Sequence, residues 1–266
     1  MRVSNAVTVL VVVFLAIAGA TSIPSASSQE LPKQTLAPTG KLRGAFLANN
    51  PIHATKNASG ELNGPAIDLG RELARRIGVP FEGIAYPSYP AMVAAAKAGE
   101  WDIIFFGILP ERRKNIDFSV PYAQIEGSYL VAKDSPISTI SDVDKPGVRV
   151  AVLEKGAADA VLSVTLKQAT LIRAPTVNEA VEMLSSGKAE AVAALKTFLF
   201  PASEKVPGSR VLEGRTYVED IGIGVPKGRD ASGAAYVRNF VEEAKASGFV
   251  KAIIEKAAQR GFVAAP

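Results

Sequence analysis

Cysteine is missing altogether from the 266 residues of this chain. Its absence removes disulfides, thiolate metal sites and a cysteine nucleophile together. It also removes the lipidated cysteine that would tether an exported chain to a membrane. Histidine is nearly as scarce, with His53 alone. A lone loop histidine is ordinarily a solvated residue, and no acid–base partner is identifiable for it, so no catalytic residue is assigned. No metal site or cofactor is expected either. Past the N-terminus, no run is long and apolar enough to cross a bilayer. No charge of one sign accumulates: 30 basic and 26 acidic residues give a net charge of +4, scattered along the chain. A nucleic-acid partner, which would call for a concentrated basic stripe, is therefore not expected.

What is present fits an ordinary globular protein. At 48% hydrophobic and 21% charged, the chain has material for a sizeable core, in one large domain or two of moderate size. Arg2, an apolar stretch over residues 6–18 and then small residues such as Ala18, Ala20, Ala26 and Ser28 have the layout of a secretory signal peptide. Residues 1–28 are read as that peptide, cleaved after Ala20 or Ser28. Residues 29–40, polar with two prolines, read as a flexible leader. An exported chain without an anchor is expected free in the periplasm.

From residue 42 onward short strands and helices alternate, the pattern of an α/β fold. Residues 42–48 and 79–85 read as strands. Between them Ala66, Leu69, Leu73 and Ile77 fall on one helical face, and Gly78 stops that helix. Pro90 opens another helix, with Met92, Val93 and Ala96 expected inward. Residues 102–106 read as a strand covered on both faces, since Asp102 is followed by four consecutive apolar residues. Strands at 148–153, 171–173 and 189–194 alternate with helices over 156–166 and from Thr176 to about Gly187. The last two helices carry stripes at Val237, Phe240, Val241, Ala244 and at Val250, Ile253, Ile254, Ala257.

Several spaced segments resemble one family. Gly99-Glu100-Trp101-Asp102, followed by Pro110-Glu111-Arg112-Arg113-Lys114-Asn115-Ile116-Asp117-Phe118-Ser119-Val120-Pro121-Tyr122, is similar to the signature of family 3 extracellular solute-binding proteins, the receptors of polar amino-acid ABC importers. Residues 60–78, Ser141-Asp142-Val143-Asp144-Lys145-Pro146-Gly147 and Ile221-Gly222-Ile223-Gly224-Val225-Pro226-Lys227-Gly228 extend the likeness over most of the chain. The resemblance implies a two-lobed periplasmic-binding-protein fold of type II, with ligand in the cleft. Carried over, one lobe spans 41–122 and 222–266, the other 127–218, with hinges at 123–126 and 219–221. It also implies a monomer that hands a small carboxylated solute to a membrane permease.

By the same resemblance Arg112 grips the ligand carboxylate, for which a planar guanidinium is geometrically suited. Tyr89 takes the place of the aromatic that packs on the ligand, with Tyr86 as its competitor. The loop carrying Asn50, Pro51 and His53 lines the cleft opposite. Gly107 and Ile108 lie in a ligand-contacting segment that is shorter here and lacks its usual hydroxyls. In the second lobe, Gly156 and Ala157 start a helix whose free N–H groups suit a carboxylate, again without the family's hydroxyl. Leu195, followed by Lys196, stands where the family keeps an aspartate for the ligand ammonium. That substitution predicts a ligand other than an ordinary zwitterionic amino acid, held by Arg112 and Lys196, unless Glu126 or Glu154 replaces the missing acid. A periplasmic dehydratase on the same scaffold, similar to cyclohexadienyl dehydratase, is the alternative, with Glu126 or Glu154 as its acid.

Overall fold

A computed structural model describes residues 26–48, 52–56 and 59–266. The segment read as a signal peptide lies outside the described residues as far as residue 25. In chain order the elements are α1 (Ala26–Leu36), β1 (Leu42–Leu47), β2 (Thr55–Lys56), β3 (Leu62–Asn63), α2 (Pro65–Ile77), β4 (Phe81–Tyr86), α3 (Tyr89–Lys97), β5 (Ile103–Gly107), β6 (Ile116–Phe118) and β7 (Ala123–Val131). There follow β8 (Arg149–Leu153), α4 (Ala157–Thr165), β9 (Thr170–Ala174), α5 (Val177–Ser185), β10 (Ala191–Leu195), α6 (Lys196–Lys205), β11 (Arg210–Val211), β12 (Tyr217–Pro226), α7 (Ala231–Ala246), α8 (Phe249–Ala257) and β13 (Phe262–Ala264).

Residues 29–40 depart from the expectation drawn from the sequence. Their composition suggests a flexible leader, but α1 occupies most of them and packs on α7 and α2. Leu36 and Ala37 at its end are buried in the main core. A polar segment with one apolar foot can dock when a neighbour supplies the surface, which composition does not reveal.

Local signals explain most other elements. Pro65 sits in the first turn of α2, and Gly78 ends it in the left-handed conformation (φ 71) that spares glycine the Cβ clash. In α3 the Ser88 hydroxyl accepts the Ala91 N–H at 3.3 Å, the usual N-cap arrangement. Its buried residues are Met92 and Ala95, whereas Val93 and Ala96 are half-buried. Trp101 sets that rotation: its indole N–H donates to the Met92 carbonyl at 2.8 Å, and the ring is fully buried. The adjoining Asp102 is fully buried as well. It accepts from Arg43 Nε and Nη2, both at 2.9 Å, and from Arg229 Nη1 at 3.0 Å, tying β1, the foot of β5 and the turn after β12 together.

One sheet runs β4-β1-β5-β12-β7-β10-β8-β9. Its flanks are parallel, β1 beside β4 and β5, and β8 beside β9 and β10. Its middle is antiparallel, with β12 between β5 and β7, and β10 against β7. Parallel strands require crossover helices, and helices covering both faces account for the uninterrupted burial of β5.

The apolar interior falls into several clusters, of which two lie at opposite ends of the long strands. One core gathers Leu42, Leu69, Leu73, Phe105 and Phe240; another gathers Val150, Val152, Leu162 and Ala193. Strand β7 feeds both, giving Ala123 and Ile125 to the first and Tyr129 and Val131 to the second. Strand β12 does the same with Ile221 and Ile223 on one side and Tyr217 on the other. The fold is thus a two-lobed α/β structure whose paired long strands pass from one lobe to the other.

Candidate functional site

An apolar cavity of about 200 Å³ lies where β7 and β12 pass between the cores. Alternation along β12 puts Tyr217, Glu219 and Ile221 on one face, and all three line this cavity. Ile125 of β7 joins them. Leu47, Ile52, His53, Phe106, Gly107 and Arg112 come from the first lobe, and the Leu153–Ala158 turn, the end of β10 and Phe198 of α6 from the second.

Arg112 stands on the short 3₁₀ turn Arg112–Lys114, its own N–H bonded to the Leu109 carbonyl at 3.0 Å. Its Nη1 donates to the Gly107 carbonyl at 2.9 Å and to Glu219 Oε1 at 3.3 Å. The guanidinium carbon lies 4.0 Å above the Phe106 ring centroid. Phe106 in turn stacks on Tyr89, with centroids 5.3 Å apart and planes within 5°. The guanidinium is thereby held on two fronts, by oxygen acceptors and by a ring face. Among the described residues, its Nε and Nη2 have no hydrogen-bond partner.

Glu219 reaches Arg112 because of strand register. Gly107 pairs with Ile221, and the Ile108 N–H donates to the Asp220 carbonyl at 2.7 Å. The next inward-facing position on β12 is then Glu219. Its side chain is only 11% exposed. Burial pushes its carboxyl above the usual range while Arg112 pulls it back, and burial likewise lowers Arg112. His53 is fully buried, and its Nδ1 has no hydrogen-bond partner among the described residues. Burial, aided by the charge of Arg112, holds its pKa down to about 4, so at neutral pH it is an uncharged imidazole. The expectation of a solvated loop histidine is therefore corrected.

The residues singled out from the sequence separate into groups. Arg112, His53, Gly107, Gly156 and Ala157 line the cavity. Gly156 is the N-cap of α4, with no side-chain cap. Tyr89 does not line the cavity; its ring stacks on Phe106 and lies 5.4 Å from the Arg112 guanidinium carbon, so both rings seat the arginine while Phe106 is the one that faces inward. Ile108 does not line it either. Its side chain packs on Gly222, where an added Cβ would meet Cδ1 at 2.8 Å. Asn50 and Pro51 lie outside the described residues.

Lys196 is turned away from the cavity. It forms a 2.6 Å ion pair with Glu126, its stem running along Gly261. Starting α6 directly after Leu195 gives it that direction, and the expected cleft cation is thereby consumed. Glu154 is exposed, 3.8 Å from Lys155, and does not line this cavity. Neither carboxylate offered as a replacement acid or as a dehydratase acid borders the cavity. Glu219 does, and sequence reasoning had placed it only in a hinge. The period-two set Tyr217, Glu219, Ile221 was the signal that marked its face. Among the described residues no cluster of His, Cys, Asp and Glu is placed to hold a metal ion, and no helix is long and apolar enough to cross a membrane.

Comparison with known proteins adds an independent line. A family model described as bacterial extracellular solute-binding proteins, family 3, matches residues 42–259. An ABC transporter glutamine-binding protein of Bacillus subtilis (strain 168) is 25% identical over 237 residues, 85% of this chain and 85% of its own length. Among solved structures, the ancestral amino acid-binding protein AncCDT-1, described as a precursor of cyclohexadienyl dehydratase, matches with TM-score 0.65 and 26% identity, covering 86% of this chain and 98% of that one. A mutant of ArgBP from T. maritima matches with TM-score 0.64 and 26% identity, covering 85% and 99%.

Proposed function

We propose, from the premise that this chain belongs to the bacterial extracellular solute-binding proteins of family 3, that it is the periplasmic receptor of an ABC importer, capturing a small carboxylated solute and delivering it to a membrane permease. The observation that carries the reading is Arg112, a guanidinium fixed at the wall of an interlobe cavity with two donor nitrogens unused among the described residues. Two parallel hydrogen bonds from those nitrogens match a carboxylate. The cavity is small beside typical drug-sized pockets, which suits a metabolite.

In this reading residues 41–122 with 222–266 form one ligand-gripping lobe and 127–218 the other. Residues 123–126 and 219–221 act as hinges, and the monomer closes on its ligand by bending there. The protein binds without transforming: Glu219 is the one carboxylic acid among the described cavity residues, and it is already committed to Arg112. That arrangement stabilises charge, and His53, which also lines the cavity, is held neutral with a pKa of about 4, too weak a base to serve as an efficient proton acceptor near neutral pH.

A thermal-shift screen against a broad metabolite panel tests the proposal, because a true ligand in excess raises the melting temperature by mass action. Arg112→Ala should then weaken the selected ligand by at least about 2 kcal/mol, roughly thirtyfold, with Arg112→Lys only partly restoring it. Conversion of a ligand to product during incubation would instead show an enzyme.

A further inference from the structure

Charge is scarce in the cavity and it is balanced. Among the described lining residues only Arg112 and Glu219 carry ionised side chains, and His53 is held neutral. They sit beside each other at 3.3 Å with low exposure on both sides, 17% and 11%. The pair leaves valences open. Glu219 Oε2 and the Nε and Nη2 of Arg112 have no hydrogen-bond partner among the described residues. Around this pair the walls are apolar, with Ile52, Phe106, Ile125, Leu195, Phe198 and Ile221 prominent.

We infer that Glu219 determines specificity in this cavity, selecting a compact zwitterion whose ammonium it accepts while Arg112 takes the carboxylate, with an apolar remainder against the hydrophobic wall. This rests on the receptor reading above and reverses the expectation drawn from Leu195 and Lys196. The missing acid is not on β10; it is supplied from the hinge strand β12.

The physical case is one of matching. A plain monocarboxylate on Arg112 would lie against the buried carboxylate of Glu219, and like charges in a low-dielectric site repel strongly unless one takes up a proton. A dicarboxylate compounds the problem. A simple amine meets Arg112. An α-amino acid brings both charges on one carbon, adjacent as Arg112 and Glu219 are adjacent, and leaves neither protein group uncompensated. A charged side chain would find no counter-ion among the described lining residues, and that favours an apolar one.

The test is calorimetric titration of the wild-type protein and Glu219→Gln with leucine, methionine and phenylalanine, and with the same molecules lacking the amino group. In the wild type the amino acid that binds best should do so at least about thirtyfold more tightly than its deaminated counterpart. In Glu219→Gln, a near-isosteric change, that preference should shrink to about threefold, and the deaminated acid should bind more tightly than it does to the wild type. Equal binding of amino acid and deaminated acid by the wild type overturns the inference, as does full discrimination retained in Glu219→Gln. If the variant fails to fold, the wild-type comparison decides alone. An acid without an amine that binds tightly and depends on Arg112 sinks the role of Glu219 and leaves the receptor reading standing. A protein that binds neither this set nor any member of the metabolite panel overturns both.

Discussion

Replacing Gly107 by alanine should damage ligand binding far more than folding. Gly107 closes β5 without a positive φ, so alanine brings no backbone strain there. Its methyl would overlap Glu219 Oε1, at 2.6 Å from Arg112 Nη1 and 2.8 Å from Glu219 Cδ. The backbone is pinned by pairing with Ile221, so the two charged side chains must yield. Both border a cavity and have room to rotate. The folding cost then stays near the low end for overpacking, about 1 kcal/mol. It is offset by about 0.4–1 kcal/mol from the restricted unfolded chain. Binding has no such relief. Moving the guanidinium fork and its carboxylate partner out of place forfeits about 2–3 kcal/mol of charged contact, a weakening of roughly 30- to 150-fold. Urea unfolding beside calorimetric titration of the tightest amino acid reads both quantities. Native affinity in a folded Gly107→Ala protein would refute the placement of ligand against this pair. A stability loss beyond about 3 kcal/mol would refute the claim that the side chains, and not the strand, give way.

Two further perturbations probe the scaffold. Asp102→Ala should destabilise by about 3–5 kcal/mol in urea unfolding, since it strands Arg43 and Arg229 without the fully buried carboxylate they share; a loss below about 1 kcal/mol would mean that solvent replaces it freely. His53 should make stability pH-dependent with a definite sign. Its folded pKa of about 4 lies below the ordinary 6.5, so between those values the unfolded chain binds the extra proton, and stability falls as pH drops through the window. About 2–3 kcal/mol should be lost between pH 7 and pH 4.5 in wild type beyond the loss in His53→Asn, and matching curves for the two proteins would show His53 to be solvated.

Much of the architecture was legible in local pattern. Helix α2 announced itself by its apolar face and Gly78, β5 by the apolar run over residues 103–106 that the structure buries without a break, and the alternation of strand and helix implied a layered α/β fold. Arg112 was picked out by its place in the segment that resembles the family signature, and its position in the structure is set locally. It lies five residues from the Gly107 carbonyl it binds, so a short turn after a strand nearly fixes where its side chain goes. Helix α1 was not legible, because its docking depends on α7, far away in sequence.

The amino-acid sequence by itself therefore determined the periods, the caps and the short turn beyond β5 that carries Arg112, all of which depend on neighbours within a few residues. Tertiary structure alone decided which charges meet. Glu219 and Arg112 are 107 positions apart, as Lys196 and Glu126 are 70 apart, and only the register of β12 on β5 and the exit of α6 from β10 bring each pair together. Composition counts such charges, but Coulomb energy depends on distance and burial. The cation expected in the cleft was spent at its edge, and the acid thought missing was supplied by the strand that joins the lobes.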